Sequence, residues 1–353
     1  MDIIFNMHKV RFAILDELIR QNNITFKNNK VNFFINLEPI LYKLTNKRID
    51  EYLRLNNESK VFQIISNIFN LVAHYRLYFA SRRIDSKIYV YIQYPFNSKM
   101  NNAKYNKEYR RMYTFRYVDN INNYIICENM NTALPLCRIL LEYINGCYLI
   151  TSGSIENSII PSMLNINDST NMILSKDIYD MQYIKDDYKI LYPKQDESFI
   201  LTDNNFAKSF ERIYSVGLGE LTIKQLSFII SIMGNDKRNI YGIKGMGMKR
   251  AISMLQSAIK NNIITPNTDN VNILLRSVKN EYRDIIETNL HCTDIGLQYD
   301  DLSVKDFYNI KEQIVDKFDN DALKDLQYRY FQDYPLMLDE ITLIPKERTN
   351  VIF

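Results

Sequence analysis

Five short apolar runs, separated by stretches of helical spacing, constrain this 353-residue chain more than any other feature. They are Val31–Ile35, Ile88–Ile92, Gly146–Ile150, Asn171–Leu174 and Tyr188–Tyr192. Most lack a polar alternate face, so each reads as a strand buried on both sides. Between them, Ser59–Phe79 carries Val61, Ile64, Ile65, Ile68, Phe69 and Val72 on one stripe, and Ala133–Ile144 also reads as a helix. Helices are further expected over residues 8–22, over Leu37–Leu44 and over Ile155–Leu164, the last limited by Pro161. Short apolar strands alternating with helices predict an α/β fold, a parallel sheet flanked on both faces by helices. After Pro193 the pattern turns helical, and Thr222-x-x-Gln225 forms a capping box for a helix running to Met233. The expected organisation is an N-terminal helical extension (1–30), an α/β domain (31–197) and a helical domain with a C-terminal extension (198–353).

Within the helical part, Gly242-Ile243-Lys244-Gly245-Met246-Gly247-Met248-Lys249-Arg250-Ala251 is the densest motif. Its apolar-x-Gly-apolar-Gly-x-x-x-Ala pattern, with a helix before it, is that of a helix–hairpin–helix element spanning about 222–258. Closely spaced glycines let a hairpin turn sharply and bring backbone N–H groups near a ligand. The helix that follows aims its unsatisfied donors at the same spot. Gly242, Lys244, Gly245, Gly247, Lys249 and Arg250 are therefore candidates for gripping a DNA backbone without reading sequence. Glycines used only for packing in a helical corner give the same string.

A second basic stretch, Lys99–Arg116, interleaves Lys107, Arg110 and Arg111 with Tyr105, Tyr109, Tyr113 and Phe115. Cations there can neutralise phosphates while aromatic faces stack on unpaired bases. A solvated loop with its tyrosines on the core fits equally well. The net charge is only +3, so any basic surface is local. Charges interrupt the first thirty residues and no run reaches a membrane span, so no secretory leader and no membrane partner are expected. Cys127, Cys137, Cys147 and Cys292 lack metal-ligand spacing with the histidines and read as buried reduced thiols of a cytoplasmic protein. No phosphate-binding P-loop and no nucleophile elbow is present. Abundant Asn, Ile and Lys, with 26 tyrosines and no tryptophan, suit an AT-rich genome such as a virus or phage.

In this order the segments resemble the flap endonuclease and 5′→3′ exonuclease family, from about Val31 to Leu255. Phe34-Ile35-Asn36-Leu37 with Leu41-Tyr42-Lys43 matches its apolar strand, Asp-Gly and Leu-Tyr-Arg. Tyr105–Arg111 is similar to its Tyr-Lys-x-Asn-Arg segment. Leu141–Ile144 and Ile155–Ile160 resemble its helix, strand and Glu-Ala-Asp-Asp run. Ser175–Gln182 resembles Ser-x-Asp-x-Asp-x-x-Gln, and Met233–Ile243 resembles Met-Gly-Asp-x-x-Asp-Asn-Ile-Pro-Gly-Val. The resemblance implies a PIN-like parallel sheet with a helix–hairpin–helix domain behind it.

It also implies a carboxylate cluster holding magnesium, which needs hard oxygen ligands and enough negative charge for two dications. Here the family's acids align with Asn36, Gln93, Ser158, Ile159, Tyr179, Asn235 and Arg238, while Glu156 and Asp177 remain. An arginine near the second metal position would repel a cation by about a kcal/mol or more. Asp180 and Asp236 lie one residue out of register, and Glu38 lies near Asn36. Glu156, Asp177 and Asp180 are thus the remaining metal candidates, with no catalytic residue assigned. The leading expectation is a catalytically degenerate 5′ nuclease-like protein that binds DNA within a viral replication, transcription or packaging assembly, in host cytoplasm or virion. The alternatives are an active, magnesium-dependent divergent 5′ nuclease, and a purely structural component that docks on protein partners without DNA.

Overall fold

The computed structural model describes residues 9–37, 56–93, 121–152, 155–164, 167–194, 197–235, 240–317 and 319–330. Strands β1 (Lys30–Asn36), β2 (Asp85–Gln93), β3 (Cys147–Ser152), β4 (Thr170–Leu174), β5 (Lys189–Tyr192) and β6 (Phe199–Leu201) form one sheet in the order β3-β2-β1-β4-β5-β6. All neighbouring pairs are parallel except β5–β6. Parallel neighbours require crossovers, and helices supply the layers that bury both faces. The expected helix-flanked parallel sheet is what the chain forms. β6 was not anticipated, and it carries the sheet past residue 197.

Side-chain alternation sorts the strands between two apolar clusters. Phe33, Ile35, Ile88, Val90, Ile92, Leu149 and Leu174 face one layer, built from α1 (Phe12–Gln21), α2 (Asn57–Ser81) and α3 (Ile121–Glu142). Phe34, Tyr89, Tyr91, Tyr148, Ile173 and Ile190 face the other, which continues without a break into the helices after residue 205. On that second face Phe34 pairs in register with Tyr89, and Tyr89 with Tyr148. Their rings stack at 5.0 and 5.2 Å, an aromatic ladder across three strands. Such cross-strand pairs contribute roughly 0.5–1.5 kcal/mol each beyond burial and help pin register.

Several expectations are corrected locally. Residues 155–164 form not one helix but a 3₁₀ turn at Asn157–Ile159 followed by the four-residue α4 (Ile160–Met163). Pro161 sits at the start of α4, where its missing N–H costs nothing. The helix expected from Ala133 begins already at Ile121 and accommodates Pro135 within it. The N-terminal helix is anchored on α2. The Tyr78 hydroxyl donates to Asp16 Oδ1 at 2.8 Å, and Arg82 pairs with Asp16 too, holding the Asp16 carboxyl below its usual range. The helix expected over Leu37–Leu44 falls almost wholly outside the described residues.

The C-terminal extension closes the sheet edge. Gln313 accepts from the Thr151 N–H at 2.8 Å and donates to the Thr151 carbonyl at 3.0 Å, so one side-chain amide imitates a strand partner for β3. Asp316 accepts from the Gly146 N–H and the Tyr148 hydroxyl, both at 3.1 Å. An unpaired edge is an aggregation template, and this strap removes it. Gln313→Ala is expected to lower stability in urea denaturation by about 1–3 kcal/mol by leaving part-buried backbone groups of β3 unpaired. Glu312→Ala, on the exposed side of the same turn, should stay within about 0.5 kcal/mol.

Candidate functional site

In a parallel sheet the carboxyl ends of the strands gather at one end, where open α/β folds place their sites. Asn36 closes β1 there, Gln93 and Ser152 end β2 and β3 in paired register, and Ser175 follows β4. Asn36, Ser152, Glu156, Asn157, Ser158, Ser175 and Asp180 are all buried. This is a dense polar group set among the apolar surroundings of both clusters.

Its centre is Asp180, which is fully buried. Oδ2 accepts from the Asn36 amide at 2.8 Å and from the Ser175 hydroxyl at 2.5 Å. The Asn157 amide in turn donates to Asn36 Oδ1 at 3.4 Å. The Ser175 hydroxyl also accepts from the Asp177 N–H, and Asp177 Oδ1 accepts from the Tyr179 N–H at 3.1 Å. The acid one residue out of register therefore does enter the cleft, where Asn36 and Ser175 meet it as neutral donors. Asp177 spends one carboxylate oxygen shaping the turn that aims Asp180 inward.

Glu156 is buried beside α9 (Arg283–Thr293), close enough that its charge adds to burial in pushing the Cys292 thiol up to about 12. Cys137, Cys147 and Cys292 are buried free thiols. Gln182, the last residue of the Ser-x-Asp run, is a further site-end residue whose part the sequence did not reveal. It donates to the Thr293 carbonyl at 2.8 Å and accepts from the Ile295 N–H at 3.3 Å, clipping the C-terminal helices to the sheet end. Among the described residues no three His, Cys, Asp or Glu side chains come together as a metal-holding group. Glu38, Asp236 and Arg238 lie outside the described residues.

The glycine-rich corner is built differently from its string. β7 (Gly234–Asn235) and β8 (Ile240–Tyr241) form a small antiparallel hairpin between α6 (Leu226–Met233) and α7 (Met248–Lys260). Gly234 and Gly242 face each other so closely that a Cβ on Gly242 would meet Met233 carbonyl carbon at 2.2 Å. Gly245 adopts φ +79°, the left-handed region open to glycine. Gly247 differs from all three. Its φ is −78°, and an added Cβ would meet nothing within 4 Å. No internal contact explains glycine there. Gly247 caps α7 without a side-chain acceptor, and Lys244, Gly245, Gly247, Lys249 and Arg250 are all exposed. Arg250 donates to the Gly245 carbonyl at 2.8 Å, so it braces the loop as well as charging it. Lys107, Arg110 and Arg111 lie outside the described residues.

Comparison with solved structures gives this architecture a match. T5 5′-exonuclease with bound zinc is 12% identical, covers 80% of this chain and 99% of its own, and superposes with a TM-score of 0.52. The fold is that of a 5′ nuclease. A bacteriophage T5 flap endonuclease, solved as a pseudo-enzyme–product complex with DNA and metal ions, is 13% identical over 86% of this chain and 100% of its own, with a TM-score of 0.49. No family model matches the sequence, and the search of curated proteins yields no significant match. No described helix is long and apolar enough to cross a membrane.

Removing one acid from a cluster built for cations relieves repulsion and stabilises the metal-free protein. Asp180 instead holds two neutral donors. Asp180→Ala is therefore expected to destabilise by about 2–4 kcal/mol, read from urea midpoints without added metal. Unchanged or increased stability would assign Asp180 to an electrostatically strained site.

Proposed function

We propose that this protein binds DNA without sequence preference through the corner Gly242–Arg250, on a 5′ nuclease fold whose cleft no longer supports two-metal hydrolysis. The observation that carries the reading is Gly247. A glycine with open space where its Cβ would stand, at the uncapped start of a 13-residue helix and between exposed cations, suits close approach by an external phosphate backbone. Lys244, Lys249 and Arg250 supply the charge. The corner serves as a helix–hairpin–helix element in a helical C-terminal domain.

Magnesium does not fit the donor set described at the cleft. Asn36 offers an amide whose oxygen already accepts from Asn157, and Asp180 Oδ2 is taken by Asn36 and Ser175. Glu156, Asp177 and an Asp180 already held by two donors bring too little charge to hold two dications. The protein then acts as an architectural or accessory subunit, on our reading in a viral replication, transcription or packaging assembly within the host cytoplasm or virion.

Filter binding of random-sequence duplexes at low salt should show retention that falls steeply as salt rises. Replacing Lys244, Lys249 and Arg250 together by alanine should weaken it at least about tenfold and lower the salt slope by about 2 to 3. Gly247→Ala should weaken binding while keeping stability within about 1 kcal/mol of wild type. No retention by the wild type would defeat the DNA reading. Cleavage of a labelled 5′-flap substrate with magnesium or manganese, abolished by Asp177→Ala, would instead establish an active divergent nuclease.

A further inference from the structure

The opposite helical layer holds a polar cleft that the DNA reading does not use. It lies between the start of α2 and the middle of α3, lined by Asn57, Glu58, Lys60, Val61, Asn129 and Thr132 among others, with a volume of about 650 Å³. That is room for a small molecule rather than a lone ion. A three-residue turn joins α2 to β2, so the two run antiparallel and the start of α2 lies at the sheet end that holds Asn36 and Asp180.

Two independent features of this cleft select for an anion. The first is the terminus of a 25-residue helix. Its cap, the Asn56 side chain, takes the Ser59 N–H, and the amides of Asn57 and Glu58 have no described acceptor. The second is Lys60. Only 6% of its surface is exposed, and its ammonium makes no hydrogen bond or ion pair among the described residues. A lysine held by its neighbours along most of its length, lining a cleft with no acid at its ammonium among the described residues, presents its charge to an incoming anion. Among the described residues the one carboxylate lining the cleft, Glu58, is exposed at its rim and is not paired with Lys60. Asn57, exposed at the mouth, suits the polar edge of a base or sugar.

We propose that Lys60 and the amino end of α2 form a phosphate-binding site that takes a nucleoside monophosphate, either free or as the phosphorylated end of a strand. The ammonium meets the phosphate, and the free amides of the first helical turn complete its coordination. This site stands on α2 and α3 and does not depend on the glycine corner.

The test is ³¹P NMR titration of the full chain with inorganic phosphate and with thymidine 5′-monophosphate, followed by competition with 5′-phosphorylated and 5′-hydroxyl oligonucleotides. The wild type should bind the monophosphate, and Lys60→Met should weaken it at least tenfold without lowering the melting temperature. Asn57→Asp is the second variant, because an acid at the first helical position favours folding yet repels phosphate. It should lose binding while remaining fully folded. The Lys244, Lys249 and Arg250 triple-alanine variant should bind the monophosphate as the wild type does, even though its duplex binding is weakened. Preferential competition by the 5′-phosphorylated oligonucleotide would identify a strand end as the source, and equal competition by both oligonucleotides a free nucleotide. Absence of phosphate binding by the wild type, or undiminished binding by both variants, would overturn the proposal.

Discussion

Burial of β1 on both faces and along both edges is the constraint on which the rest depends. β2 and β4 pair with it in parallel, and Val31, Phe33, Phe34 and Ile35 are almost completely shielded from solvent. A strand so enclosed delivers its last side chain, Asn36, into a space that water reaches poorly. Whatever polar group stands there must find its partner within the protein. Asp180, Ser175 and Asn157 are that answer, and the turn from Ser175 to Asp180 takes its shape from supplying it.

The same enclosure explains what could be read from the chain beforehand. The five parallel strands are legible because burial on both faces leaves nearly continuous apolar runs, and α2 is legible from its stripe. β6 has three residues and β7 and β8 two each, too short for periodicity to register. They exist through tertiary pairing alone. Pro161 hinted at a limited helix, but only the structure shows a 3₁₀ turn taking half of it. Pro135 inside α3 would have argued for a boundary that does not occur.

At the site the balance is different. Identity of the residues at the strand ends was visible, including the amide at 36, because their spacing follows the strands. Their partners were not. The string places Asp180 three residues after Asp177, but only the folded turn brings it 2.8 Å from an amide 144 residues earlier. One signal was available: an amide ending a buried strand requires an acceptor, and Asp180 is the acid nearest to the matching motif. The glycines teach the converse lesson. Their spacing suggested one shared role, whereas Gly234 and Gly242 serve close backbone approach, Gly245 serves a left-handed turn, and Gly247 starts a helix with open space where a Cβ would stand.

At this cleft the engagement of each acid matters as well as the number of acids. For Asp180 to turn both oxygens toward a dication, the Asn36 N–H and the Ser175 O–H would have to give up their acceptor while still buried. Each such loss costs about 1–3 kcal/mol. A cleft of clustered carboxylates carries the opposite bias, since its mutual repulsion is relieved when a cation arrives. Replacing an acid by an amide at position 36 thus changes more than the charge. It gives Asp180 a donor where an acid would repel it, and Asn36 and Asp180 form a hydrogen-bonded part of the core. The corner Gly245–Arg250 is engaged otherwise: Arg250 braces the Gly245 carbonyl from an exposed position, and Lys244 and Lys249 stand exposed beside it.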